Sequence, residues 1–376
     1  MVTGTYNGDY LGIPLEHSNM EVWLFAIIAS IPYVLLYFFI LKIKVDDLNA
    51  NKLPSFFLPF SIAVLLISLT LTLSYGVGMM AQGIYSVPSY LKPFVVVINR
   101  VDALVLSSIL ILSPYVKWRY AIVIGVLICL ISFNRGSLMF LPIIFFLFYF
   151  RFMTYSDFPE KTRRLSKLMT IILFSILLVV VLQNISYLYE LREAIRGLES
   201  QDFPIFELIF GKFIGRLSNL SALLRFDLYS QHYLASIDQL PYFAFLIDTL
   251  KAIWGGFLNV PVMNHYDYWT LINDPWGFRV YAQQTGLIPA LGLSFFKSPV
   301  ILILDIFVIT ICIYYVVRLF TFFLGVNGKY AAMTIIIFAI LSGAPNQFSN
   351  PLFHLIIIWF ILFSFRQFTY QFNKNL

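Results

Sequence analysis

Residues 298–318, SPVILILDIFVITICIYYVVR, decide the class of this chain. The run is apolar on every side and carries one interior charge, Asp305. It is also long enough to cross a bilayer, which takes about twenty apolar residues at about 1.5 Å each. A helix that is apolar all round has no face for water, so the run predicts a membrane-spanning helix. Asp305 then needs help inside it: an arginine of another helix, a serine or asparagine, or failing these a proton.

Runs of the same kind recur along the chain. Together with 298–318 they fall at roughly 22–41, 56–75, 101–116, 119–134, 137–152, 169–189, 329–345 and 351–367, several of them short by the twenty-residue measure. The expected fold class is therefore all-α: a polytopic transmembrane helical protein of about nine spans or more, forming a single integral membrane domain over 1–376. Composition agrees. Hydrophobic residues make up 60% and charged residues 12%, with mean hydropathy +0.84, where soluble domains are roughly half apolar and a quarter charged. The net charge of +6 lies in short loops between apolar runs, which argues against nucleic acid as a partner. Cys129 and Cys312 both sit inside such runs and read as small core residues rather than a disulfide or metal pair. Residues 1–20 lack a basic leader, so no cleavable signal peptide is expected.

One interval breaks the pattern. Residues 190–285 hold spaced arginines (Arg192, Arg196, Arg216, Arg225, Arg279), a lone His265 and late aromatics including Trp269, Trp276 and Tyr281. Two stretches within it, 203–224 and 240–262, are apolar but interrupted by charge, and predict amphipathic helices at a membrane interface. The cation-rich stretch 151–167 (Arg151, Lys161, Arg163, Arg164, Lys167) belongs on the cytoplasmic side. Counting spans outward from it places 190–285 as one large extracytoplasmic loop, the expected seat of any chemistry.

The sequence excludes several chemistries for that loop. It has no phosphate-cradling glycine loop ending in Lys-Ser/Thr, no Gly-x-Ser-x-Gly elbow, and no histidine cluster with metal-ligand spacing. No metal and no cofactor is expected. What it offers is guanidinium groups, which grip phosphate with two parallel hydrogen bonds, and aromatic faces suited to sugar rings. Each has a plain structural counterpart. Arg192 and Arg196 stand four apart beside Glu190, Glu193 and Glu199 and fit surface ion pairing. The tryptophans and tyrosines fit interfacial anchoring, and His265 fits structural hydrogen bonding. Arg216 and Arg225 flank the apolar stretch Leu217–Leu224, where charge is costly enough to point to function. Arg135, in Ser132-Phe133-Asn134-Arg135-Gly136-Ser137, breaks two apolar runs on the outer side; it either snorkels or points into a cavity under the large loop.

Three segments carry a family resemblance: Asn134-Arg135-Gly136-Ser137 before a greasy helix, Gly215-Arg216-Leu217-Ser218-Asn219-Leu220 opening the loop, and Gln283-Gln284-Thr285-Gly286-Leu287-Ile288-Pro289-Ala290-Leu291-Gly292 leaving it. In these segments and in its layout the chain resembles the O-antigen polymerases of the bacterial inner membrane. The resemblance implies a GT-C-like fold and a metal-independent, inverting glycosyl transfer. The donor is a glycan on undecaprenyl pyrophosphate and the acceptor a lipid-linked repeat, at the periplasmic face. It implies Arg135, Arg216 and Arg225 on the departing pyrophosphate, with Arg279 next. His265, Asp227 and Asp274 are the candidate bases for the acceptor hydroxyl, and Arg192, Arg196, Trp269, Trp276 and Tyr281 the further candidates for substrate contact. The bilayer, a chain-length regulator and a flippase are the implied partners. A lipid-linked oligosaccharide flippase is the competing reading from the residues; it wants charge in both halves of the span set and short loops, whereas this chain has one long loop.

Overall fold

The computed structural model describes residues 15–44, 53–77, 87–135, 140–154, 219–254, 265, 268–269, 272, 286–343 and 346–374. All of its regular elements among these residues are helical. In chain order they are α1 (Asn19–Lys42), α2 (Phe57–Tyr75), α3 (Lys92–Asn99), α4 (Ala103–Leu112), α5 (Trp118–Arg135), α6 (Phe140–Thr154), α7 (Leu220–Leu228), α8 (Ser230–Ser236), α9 (Ala244–Trp254), α10 (Leu287–Lys297), α11 (Pro299–Leu324), α12 (Gly328–Ser342) and α13 (Asn346–Lys374). Four helical stretches among the described residues are long and apolar enough to cross a membrane: Asn19–Lys42, Phe57–Tyr75, Pro299–Leu341 (α11 and α12 taken together across the turn at Gly325–Asn327) and Gln347–Ser364. A fifth appears if α3 and α4, bent by 40° at their break, make one span. The expected segment 169–189 lies outside the described residues.

The opening run now has a precise setting. Its helix, α11, is followed by a short 3-10 turn at Gly325–Asn327 and then by α12. A Cβ on Gly328 would strike the backbone of Phe320 and Thr321. Eight residues of continuous α-helix span about 12 Å, so that contact requires the chain to turn back on itself there, and only a residue without a side chain permits it.

The helices form two compact units. One comprises residues 1–43, 201–315 and 336–353. Its α1 starts at a capping box: Ser18 Oγ accepts from the Glu21 amide at 3.4 Å, and the Glu21 carboxylate accepts from the Ser18 amide at 2.7 Å. These bonds satisfy two of the donors that a helix start leaves over. Met20, Leu24, Ile27, Ile31, Leu35 and Phe38 form an exposed apolar stripe along α1, the kind of face that hydrocarbon covers and water does not. α1 packs on α7 and α10.

The other unit comprises 44–200, 316–335 and 354–376. Its centre is α4, buried at every position from Ala103 to Leu112 because it has no polar face except two serines, and Ser108 returns its hydroxyl to the Leu104 carbonyl at 2.7 Å. Helices α2, α5 and α6 pack around it. Asp102 caps its start by accepting from the Val105 amide at 2.8 Å. Its other end is capped by Arg151 of α6, which donates to the carbonyls of Ile111, Ser113 (3.1 Å) and Val116 (2.5 Å) and lies over the Trp118 ring at 5.3 Å. Arg151 is 4% exposed. The cation read from the sequence as a loop charge is thus a buried helix cap.

Candidate functional site

The candidate site forms where the long interval re-enters the apolar helices. Gly286 opens α10 with φ 77° and Gly343 follows α12 with φ 67°. A Cβ on Gly343 would collide with the Gly286 backbone, so these two loops meet main chain to main chain. Asn219, itself left-handed at φ 51°, donates its amide to the carbonyls of Leu341 (2.8 Å) and Ile340 (3.3 Å). The last carbonyls of α12, which a helix cannot satisfy itself, are thereby joined to the start of α7. These contacts fix where α10 begins and hence where its Ser294 points.

Pro299 starts α11 directly after α10, with Ser298 extended between them. The sharp corner brings Ser294 of α10 against Asp305 of α11, and the Ser294 hydroxyl donates to Asp305 Oδ2 at 2.5 Å. The third member comes from the long interval: His265 Nε2 lies 2.7 Å from Ser294 Oγ and 3.9 Å from Asp305 Oδ2. His265 is 1% exposed, and Ser294 and Asp305 are fully buried. The Phe245 ring meets His265 edge-on at 5.9 Å. Burial holds the imidazole well below its ordinary pKa, at about 4, so it is neutral near pH 7. His265 Nδ1 and Asp305 Oδ1 have no hydrogen-bond partner among the described residues. Of the partners open to Asp305 on the sequence, the structure selects a serine.

His265, Tyr268, Trp269 and Ile272 are all helical, and their spacing of three, four and seven residues places them on one face. Trp269 stacks on Tyr233 at 5.1 Å and 11°, and Phe226 stacks on Tyr233 and on Phe296, both at 5.4 Å. Tyr268 donates to the Tyr233 carbonyl at 2.7 Å. The Trp269 ring therefore sits inside a packed aromatic cluster and is fully buried. That 3–4 spacing was present in the sequence and separates a buried face from a row of surface rings.

Arg225 is also largely buried, 8% exposed, with its guanidinium 4.3 Å from the Tyr229 ring centroid and a 3.4 Å contact from Nη1 to the Tyr229 hydroxyl. Asp227, by contrast, is exposed and pairs with His17 at 3.5 Å. It borders a cavity of about 440 Å³ walled by Phe25, Leu223, Phe226, Leu291 and Phe295, with Ser230 as another polar group. Arg135 ends α5 in the other unit; its side chain lies outside the described residues. Arg192, Arg196, Arg216, Asp274, Trp276, Arg279 and Tyr281 lie outside them too. Among the described residues no three His, Cys, Asp or Glu side chains are placed to hold a metal ion together.

The structure thus joins His265 to two residues of the helices that follow, and it adds Ser294, which the sequence reading did not single out. A serine in an otherwise apolar helix shortly before a buried aspartate was the available signal. Comparison of the chain with protein-family models, with curated proteins and with solved structures finds no match.

Proposed function

We propose that this protein is a glycosyltransferase of GT-C type in the bacterial inner membrane, joining undecaprenyl-pyrophosphate-linked oligosaccharide repeats into a surface polysaccharide of the O-antigen kind at the periplasmic face. The single observation that best supports this is the buried His265–Ser294–Asp305 chain, which places a neutral imidazole at the exit of the long interval, next to the apolar helices. The transfer needs a group that can take the proton of the acceptor hydroxyl, and a neutral imidazole is one. The resemblance in the segments around Arg135, Arg216 and Gly286 supplies the rest of the reading.

In the proposed step the acceptor hydroxyl gives its proton to His265. The hydroxyl oxygen attacks the anomeric carbon of the donor glycan from the opposite face, and the carbon–oxygen bond to pyrophosphate breaks with both electrons leaving on the pyrophosphate. Negative charge grows on that leaving group, so arginines aimed at it lower the barrier. Arg135, Arg216 and Arg225 are assigned that work, with Arg279 as a further contact. A chain-length regulator and a flippase would be its partners in the pathway, with GT-C architecture and nine or more spans completing the picture.

The test is direct. Purified protein in detergent should lengthen lipid-pyrophosphate-linked repeats with a chelator present and without nucleotide sugar. A strict requirement for a divalent metal or for ATP would overturn the reading. Arg135→Lys and Arg216→Lys keep the charge but lose the planar fork, and each should slow extension about a hundredfold or more. Arg192, whose spacing from Glu190, Glu193 and Glu199 fits surface ion pairing, should accept Lys at the wild-type rate.

A further inference from the structure

We infer that Ser294 and Asp305 are positioning residues that hold His265 as the tautomer protonated on Nε2, leaving Nδ1 as its free proton acceptor. A serine hydroxyl has one proton to give. With Asp305 as the carboxylate, it is given to Oδ2 at 2.5 Å, the range of a charge-assisted bond, rather than to the Ala290 carbonyl at 3.3 Å. Ser294 Oγ can then only accept from the imidazole, so the 2.7 Å contact to His265 Nε2 is an N–H donating to oxygen. The imidazole is neutral, and the proton on Nε2 leaves a bare lone pair on Nδ1.

Nδ1 is where the arrangement points to a ligand. It is buried and has no partner among the described residues, and a buried acceptor left unmade is costly because it has given up its water for nothing. A ligand hydroxyl would relieve that cost. When such a hydroxyl passes its proton to Nδ1, the imidazolium formed is balanced through Ser294 by the carboxylate of Asp305. The serine serves as a spacer, because His265 Nε2 and Asp305 Oδ2 are 3.9 Å apart, too far for a direct hydrogen bond. The acidic side chain of a membrane helix is thereby given work that its burial alone does not explain. The identity of the hydroxyl, a sugar hydroxyl of the acceptor glycan, rests on the transferase reading; the tautomer does not.

Nitrogen-15 NMR of histidine-labelled protein in bilayers at pH 7 tests this, with the His265 signals assigned by their loss in His265→Gln. The wild type should show Nε2 protonated and Nδ1 bare. In Asp305→Asn the charge is lost and the amide can offer Ser294 its N–H as well as its oxygen; with the N–H donating, the serine turns to donate to Nε2 and the proton appears on Nδ1. Ser294→Thr keeps the hydroxyl and should keep the wild-type pattern, whereas Ser294→Ala should lose it. Glycan extension should fall at least a hundredfold in Asp305→Asn and survive in Ser294→Thr. A wild-type proton on Nδ1, or a Ser294→Ala protein with the tautomer unchanged, would overturn the inference. If Asp305→Asn does not fold, Ser294→Ala still carries that decision. The expected tautomers in a protein that never extends a glycan would uphold the positioning role and remove the transferase reading. Full extension by a wild type protonated on Nδ1 would do the reverse.

Discussion

His265 shows how burial converts a common side chain into a sensitive one. Its pKa is held at about 4 because the charged form would lose its water. Unfolded, the same group titrates near 6.5. The folded value is the lower of the two, so its share of stability is complete above pH 6.5 and is lost as pH falls toward 4. Between pH 6.5 and 5 that loss is about 2 kcal/mol, at about 1.4 kcal/mol per unit. Thermal unfolding in detergent should therefore show a lower midpoint at pH 5 than at pH 7.5, and His265→Gln should flatten the difference. The neighbouring aromatics had a different fate. Trp269 looked like a sugar platform by residue type, yet its ring is covered by Tyr233. Residue type announces what a ring can do, while its neighbours decide whether the ring is free to do it.

The helices were legible because each depends on a local period or a local length. α1 and α2 begin and end within a few residues of the expected spans, and α11 begins one residue inside its expected span but runs on to Leu324, since apolar length is a property of consecutive residues. Their joins were less legible. The Asn219–Leu341 bond and the Gly286–Gly343 contact tie segments more than fifty residues apart, and nothing local in either segment names the other. Arg151 is the clearest instance: its value lies in three carbonyls at the end of α4 and in the residues just after it. Lys has a single ammonium and cannot reach all three as a planar fork does. Arg151→Lys should lower the unfolding midpoint by the equivalent of about 1–3 kcal/mol, the cost of a buried acceptor left unmade, measured as thermal unfolding in detergent. An unchanged midpoint would mean that the cap contributes no stability.

For the molecule as a whole the decisive property is sidedness. By the excess of positive charge the stretch 151–167 is expected on the cytoplasmic side, and from there the long interval is expected outside. A phosphatase reporter fused at Leu240 should be active and one fused at Lys161, a residue outside the described set, should be silent; the opposite pattern would reverse every side assigned to the loops. The amino-acid sequence determined by itself that this is a helical membrane protein, because lipid leaves the backbone few ways to satisfy its hydrogen bonds and about twenty apolar residues in a row announce the choice. It also marked Asp305 as a residue in need of a partner, because charge in hydrocarbon is costly wherever it occurs. The identity of that partner was decided by folding alone. Ser294 meets Asp305 only because the chain turns a corner at Ser298, and His265 reaches them only because a separate segment packs its buried face there. A partner is chosen by distance in space, which a linear pattern does not carry.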